Sequence, residues 1–244
     1  MTDYLDLNCC PILELRQYTL HPGRRNILID LFDREFVESQ EAFGMRIIGQ
    51  FRDLDNPDRF VWLRGFADMV GRAEALQAFC GGPVWKAYRD AANATMIDSD
   101  NVLLLRPARA TSGFQLGQRR PPAMNNSREG IVVATIYYFS APIGAAFIDF
   151  FECELNPVLR DSGAPVLSYF VTEPSTNNFP ALPVREGEHI FVWFSSFASR
   201  TAYEQFEAAF AAQVELARKL TSQLQKDPEV LKLSPTSRSE LRGM

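Results

Sequence analysis

Two α+β halves of one plan, set in tandem and closing together as a barrel, are what the sequence predicts, and three observations predict them. The length of 244 residues suits two halves of about 100 to 120 residues each. Strand motifs recur in the same order along the chain. Alternating segments and segments of three-and-four spacing follow one another as β-α-β-β-α-β, the ferredoxin-like plan, and do so twice.

The clearest recurrence sets Phe60-Val-Trp-Leu-Arg-Gly-Phe66 against Phe191-Val-Trp-Phe-Ser-Ser-Phe197, 131 residues on, with four of the seven positions identical. One of those four is Trp, of which the chain has only three. Leu103-Leu-Leu-Arg-Pro107 is echoed by Leu231-Lys-Leu-Ser-Pro235 at an offset of 128, and Tyr18 and Pro22 by Tyr138 and Pro142 at 120. The units are read as 1–108 and 131–244. Between them 109–130 is rich in Gly, Pro, Ser and Asn without apolar period, the mark of a linker.

In the first unit, 12–20 alternates as a strand and Pro22 stands where proline opens a helix, predicted over 22–43. Ile27, Leu28, Leu31, Phe32 and Phe36 form its buried stripe, and Gly44 ends it. Strands 45–54 and 59–66 follow, joined through Asp55-Asn-Pro-Asp58 as a hairpin. Asp68 is placed to cap a helix running to Phe79, Gly81-Gly82 breaks it, Pro83 restarts a helix to Asn93, and 102–108 is the closing strand. The second unit reads as strand 131–140, helix 144–161, strands 164–173 and 189–197, helix 200–225 and strand 230–235. Its long last helix carries a stripe from Tyr203 to Leu224, with Thr201-x-x-Glu204 as a capping box.

Strand 59–66 shows how the layers meet. Phe60, Trp62, Arg64 and Phe66 share one face, and Val61, Leu63 and Gly65 the other. Neither face is made for water, so helices are expected against one and the opposite sheet against the other.

Composition narrows the function classes. Twenty-five Lys and Arg against 30 Asp and Glu leave −5, with no long basic run, which argues against nucleic acid as a partner. Cys9, Cys10, Cys80 and Cys153, with two histidines and no C-x-x-C pair, do not make a metal site; reduced thiols and a cytoplasmic setting are expected. The start of the chain reads as neither a signal nor a transit peptide, and no apolar run is long enough for a membrane span. No phosphate loop, dinucleotide fingerprint or G-x-S-x-G stands in the sequence, so no cofactor is expected.

Phe60-Val-Trp-Leu-Arg-Gly-Phe-Ala-Asp-Met69, Gly82-Pro-Val-Trp-Lys86 and the run Arg89 to Pro107 resemble the NIPSNAP signature. The resemblance extends to Glu14-Leu-Arg-x-Tyr18, His21-Pro-Gly23, Gly44-Met45 and Pro235-Thr-x-Arg-Ser239. It implies the dimeric α+β-barrel fold and a protein of undefined activity. Cys80 stands where that pattern has an aromatic residue, and Tyr88 where it has His.

Arg64 is the sharpest candidate, a guanidinium on an otherwise aromatic face, which requires a carboxylate or an anionic ligand. Asp68, Asp90 and Asp98 are its expected partners; Ser195 holds the matching place in the second unit. Trp62 shares that face, and Trp85, Tyr88, Arg89 and Asn93 ride one helix that could line a small organic pocket or dock Trp85 into the core. His21 and His189 are lone histidines, and Cys80 is a thiol at a helix end. The loop 173–188, far longer than its counterpart turn, is read as a lid or dimer contact.

Three functions stay open: binding of a small molecule or protein partner in a barrel cleft; a cofactor-independent α+β-barrel enzyme of monooxygenase or isomerase type acting on an aromatic or polyketide-like substrate; and a purely structural homo-oligomer.

Overall fold

The structure is a computed structural model and describes residues 10–116 and 130–243. The N-terminal segment, Cys9 and most of the 109–130 stretch lie outside the described residues. Eight strands, β1 (Ile12–Leu20), β2 (Arg46–Asp53), β3 (Arg59–Phe66), β4 (Met96–Pro107), β5 (Ile131–Phe139), β6 (Val166–Thr172), β7 (His189–Phe197) and β8 (Glu229–Pro235), close into one barrel. Its order is β1-β3-β2-β8-β5-β7-β6-β4, and β4 pairs back onto β1. Every pairing is antiparallel.

Both faces of β3 are buried, as their apolar character predicts. Val61 and Leu63 face the barrel interior with Leu13, Leu15, Val192 and Phe194, and an eight-stranded barrel is just narrow enough for such side chains to fill it. At Gly65 a Cβ would lie 2.2 Å from the Cys10 sulfur, so the missing side chain is what lets Cys10 pack there. Phe114, from the segment after β4, also enters the interior, its ring 5.2 Å from that of Phe170 and 5.0 Å from that of Phe194.

The outer faces are covered by helices. Over β1–β4 lie α1 (Arg25–Leu31), a π-helical turn (Phe32–Phe36), α2 (Val37–Glu41), α3 (Met69–Gly81) and α4 (Pro83–Asn93). Over β5–β8 lie α5 (Ala145–Phe150), a second π-helical turn (Phe151–Leu155), α6 (Asn156–Asp161), α7 (Arg200–Ala211) and α8 (Val214–Thr221). Among the described residues, no helix is long and apolar enough to cross a membrane.

Several boundaries differ from the sequence reading for identifiable reasons. The first helix starts at Arg25, not Pro22, because the amides before it are engaged elsewhere: His21 N–H donates to Thr95 O, and Gly23, at φ +74°, donates to Asp58 Oδ1. Ile27 is exposed, outside the stripe assigned to it. β4 begins six residues before Val102, since 96–101 pair with β1 across two register shifts. The last helix breaks at Gln213, leaving Val214 exposed, and its cap is Ser199, which accepts from Ala202 N–H at 3.1 Å in place of the Thr201 box.

Candidate functional site

Strand alternation and register build the site before any helix is added. Glu14, Arg16 and Tyr18 point out of the barrel from β1; Glu14 lies opposite Arg64 of β3, and Arg16 opposite Trp62. On the other side of β3, Trp62 faces Gln50 of β2. Asp68 then caps α3 by accepting from Gly71 N–H at 2.7 Å, which sets Arg72 in the first turn, above Glu14.

All four charged groups are buried. Glu14 Oε2 accepts from Arg16 Nη1 at 2.8 Å and from Arg64 Nη2 at 2.6 Å, while Oε1 accepts from Arg72 Nε at 2.7 Å. Arg64 Nη1 donates to Gln40 Oε1 of α2 at 2.8 Å, and its guanidinium sits 4.9 Å from the Trp62 ring centroid. Arg16 Nε donates to Tyr18 Oη at 3.0 Å. The partner of Arg64 is therefore Glu14, fifty residues away in sequence, and not Asp68, Asp90 or Asp98.

Three guanidiniums surround one carboxylate. Burial works against ionisation of Glu14, but Arg64, Arg16 and Arg72 outweigh it and hold the carboxyl well below the usual carboxylate range. Burial pushes the Arg64 guanidinium down, helped by neighbouring Arg16 and opposed by Glu14. Arg16 Nη2, Trp62 Nε1 and both amide atoms of Gln50 are buried and find no partner among the described residues. The three side chains form one row across β1, β3 and β2.

Directly over this floor is a cavity of about 60 Å³, lined by Tyr18, Gln40, Trp62 and Arg64 below and by Phe32, Phe36, Phe79 and Trp85 at the sides. The π-helical turn carries both Phe32 and Phe36 into the wall. Leu182, from the long loop between β6 and β7, lines it too. That loop is latched to the charged floor: Arg72 Nη1 donates to Asn177 Oδ1 at 3.1 Å and to Asn178 Oδ1 at 2.8 Å, and Asn177 Nδ2 donates to Leu182 O at 3.0 Å.

Of the residues singled out from sequence, Trp62, Arg64 and Trp85 meet in this cavity. Tyr88 packs half-buried beside it on α4, whereas Arg89 is exposed and paired with Asp90, and Asn93 is exposed. Cys80 lines the wall, its thiol pushed up by burial against the opposing pull of Arg64 and Arg16. His21 is exposed; His189 borders a separate open groove of about 490 Å³ with Arg106, Glu173 and Arg185. Sequence reasoning gave Glu14, Arg16, Gln40 and Arg72 no role. The available signal was the alternation of Glu14, Arg16 and Tyr18 on one strand face.

Residues 13–111 match the NIPSNAP family model. Two solved structures align along nearly the whole chain. A candidate monooxygenase of Fusobacterium nucleatum has a TM-score of 0.56 at 10% identity, covering 96% of each chain. One of Lactobacillus acidophilus has 0.53 at 13%, covering 96% of this chain and 99% of its own. A NIPSNAP family protein of Agrobacterium tumefaciens aligns at 22% identity over 40% of this chain and 92% of its own, with a TM-score of 0.37. None of the curated proteins compared by sequence matches the chain.

Proposed function

We propose, for a chain whose residues 13–111 form a NIPSNAP family domain, that it is a small-molecule-binding protein with one ligand site, the aromatic cavity over Glu14, Arg16, Arg64 and Arg72. The carrying observation is the pairing of that cavity with Trp62 Nε1, which lines it, and with Arg16 Nη2 and the Gln50 amide in the same row of strands, buried polar atoms that find no partner among the described residues. A purely packed core satisfies such groups internally, because each costs about 1–3 kcal/mol when stranded. The 173–188 loop acts as the lid, since Leu182 lines the cavity and Arg72 bonds the loop at Asn177 and Asn178.

The chain is a duplication of one ferredoxin-like unit, 1–108 and 131–244 joined through 109–130, in which only the first copy keeps the site. Strand register supports this. The Glu14–Arg64 and Arg16–Trp62 pairs of β1 and β3 have Val133–Ser195 and Thr135–Trp193 as counterparts in β5 and β7. Tyr18 opposite Phe60 matches Tyr137 opposite Phe191, which moves the sequence echo from Tyr138 to its neighbour. Asp68 and Ser199 cap α3 and α7 alike, and a π-helical turn interrupts the first helix of both halves. Where the first copy has three arginines and a glutamate, the second has only neutral residues, Tyr203 standing for Arg72.

The enzyme reading, a cofactor-independent monooxygenase or isomerase, draws on the fold shared with the two candidate monooxygenases. It requires a base of near-neutral proton affinity. Glu14 is held ionised by three guanidiniums, and neither histidine lines the cavity. Binding is therefore the reading the site supports best. Thermal-shift measurements with small aromatic compounds test it: ligands that raise the melting temperature should lose that effect in Ala92→Leu, which fills the cavity from α4. Stabilisation that persists in Ala92→Leu would place the ligand elsewhere and end this reading.

A further inference from the structure

Resting on the reading of the cavity as a small-molecule site, we infer that its ligand is a small organic monoanion, a carboxylate on an apolar body. The carboxylate lies against Arg64, Tyr18 and Trp62, and the body against Phe32, Phe36, Phe79 and Trp85.

Charge is the first reason. Three buried guanidiniums and one buried carboxylate leave an excess of two positive charges, and their other side-chain hydrogen-bond partners among the described residues, Tyr18, Gln40, Met45, Asn177 and Asn178, are neutral. Buried charge is stabilised by a counter-charge, and both Glu14 oxygens are already taken. A cationic ligand is repelled, and a neutral one leaves the excess in place.

Donor type is the second. Trp62 Nε1, which lines the cavity, and Arg16 Nη2 beside it can only donate, while neighbouring Gln50 offers both an amide N–H and a C=O, so donors predominate in a row across β1, β3 and β2 that finds no partner among the described residues. Arg16 backs the cavity instead of lining it, with its guanidinium 5.5 Å from the ring centroids of both Tyr18 and Trp62, and supplies charge from behind. Arg64 already gives Nε and Nη2 to Glu14 and Nη1 to Gln40, so it meets a ligand carboxylate with its charge and its remaining Nη2 hydrogen.

Wall chemistry is the third. Apart from Gln40 and Arg64, the cavity is bounded by aromatic rings, aliphatic groups and the sulfurs of Met96 and Cys80. A phosphate ester would press charged oxygens against phenyl rings that offer no donor. With the loop shut, about 60 Å³ holds little more than the carboxylate and a few carbons, so a larger body enters by displacing Leu182.

Isothermal titration at neutral pH with two isosteric pairs, benzoate against benzamide and phenylacetate against phenylacetamide, separates this inference from the reading beneath it. The carboxylates should bind about 10- to 100-fold more tightly than their amides. Equal or tighter binding of the amides would overturn the anion while leaving the cavity as the site, and binding of neither pair would count against the cavity itself. In Arg16→Met, which leaves Glu14 paired with Arg64 and Arg72, carboxylate affinity should fall about tenfold and amide affinity stay unchanged. A folded Arg16→Met protein that binds phenylacetate as tightly as wild type would refute the role of the excess charge.

Discussion

Replacing Glu14 by Gln removes the one negative charge among three buried guanidiniums. In the wild-type protein its two oxygens accept at 2.6 to 2.8 Å from Arg64, Arg16 and Arg72, and none of these side chains is more than 3% exposed. Breaking a buried ion pair from one side costs about 3–5 kcal/mol, because the remaining charge is left uncompensated. For a domain of this size that corresponds to a fall in melting temperature of roughly 6–20 °C. The pH dependence supplies a second signature. Glu14 titrates well below its ordinary value of 4.5 in the folded protein, so its contribution is complete above about pH 4.5 and is lost as the pH falls toward the lowered value. The gap between wild type and Glu14→Gln, measured by urea unfolding from pH 7 down to pH 3, should therefore narrow below about pH 4.5. Glu215→Gln, which touches only an exposed pair with Arg218, is the control and should unfold like wild type. If Glu14→Gln is no more destabilising than that control, the three arginines do not depend on Glu14 and the electrostatic account of the site is wrong.

Other parts of the fold make separate predictions. Gly65→Ala forces a Cβ onto the Cys10 side chain and should cost about 1–3 kcal/mol by calorimetry, with most of the loss restored in the Gly65→Ala/Cys10→Gly double variant. Phe114→Ala empties a place in the barrel interior between Phe170 and Phe194 and should cost about 3–5 kcal/mol in chemical denaturation. Freeing the 173–188 loop with Asn177→Ala/Asn178→Ala should speed tryptic cleavage after Arg185 several-fold without lowering the midpoint of global unfolding; an unchanged cleavage rate would show that Arg72 does not latch the loop. In β7, Ser195→Arg should destabilise strongly by itself and recover in part when Val133→Glu is added on β5, since those two positions are cross-strand partners, as Glu14 and Arg64 are on β1 and β3.

Much of this architecture could be read from local pattern. β1, β3 and β7 alternate so regularly, and are so sharply bounded by Pro, Gly, Asp and Ser, that their predicted limits match the structure. The Asp68 cap and the Gly82-Pro83 break between α3 and α4 are local chemistry too. What escaped is whatever depends on register or tertiary competition. The π-helical turns keep the apolar stripe while adding a residue to the turn, so a three-and-four spacing does not reveal them. Arg64 was legible as a buried charge in need of a partner, yet local spacing pointed to Asp68, Asp90 and Asp98. Only the alignment of β1 on β3 brings Glu14 to it. Arg72 reads as an ordinary first-turn helical residue until α3 is laid on the sheet, and Asn177 and Asn178 reach the site from a loop more than a hundred residues away.

Tryptophan fluorescence addresses the central claim, a single anion site in the first half, most directly. Trp62 and Trp85 line the cavity, whereas Trp193, opposite Thr135 in β5, is not among its lining residues. Titration with phenylacetate should quench wild-type emission to saturation with one binding constant, and Trp193→Phe should keep that constant and the full change in signal. A response carried by Trp193, or one that vanishes in Trp193→Phe while Trp62 and Trp85 remain, would contradict it.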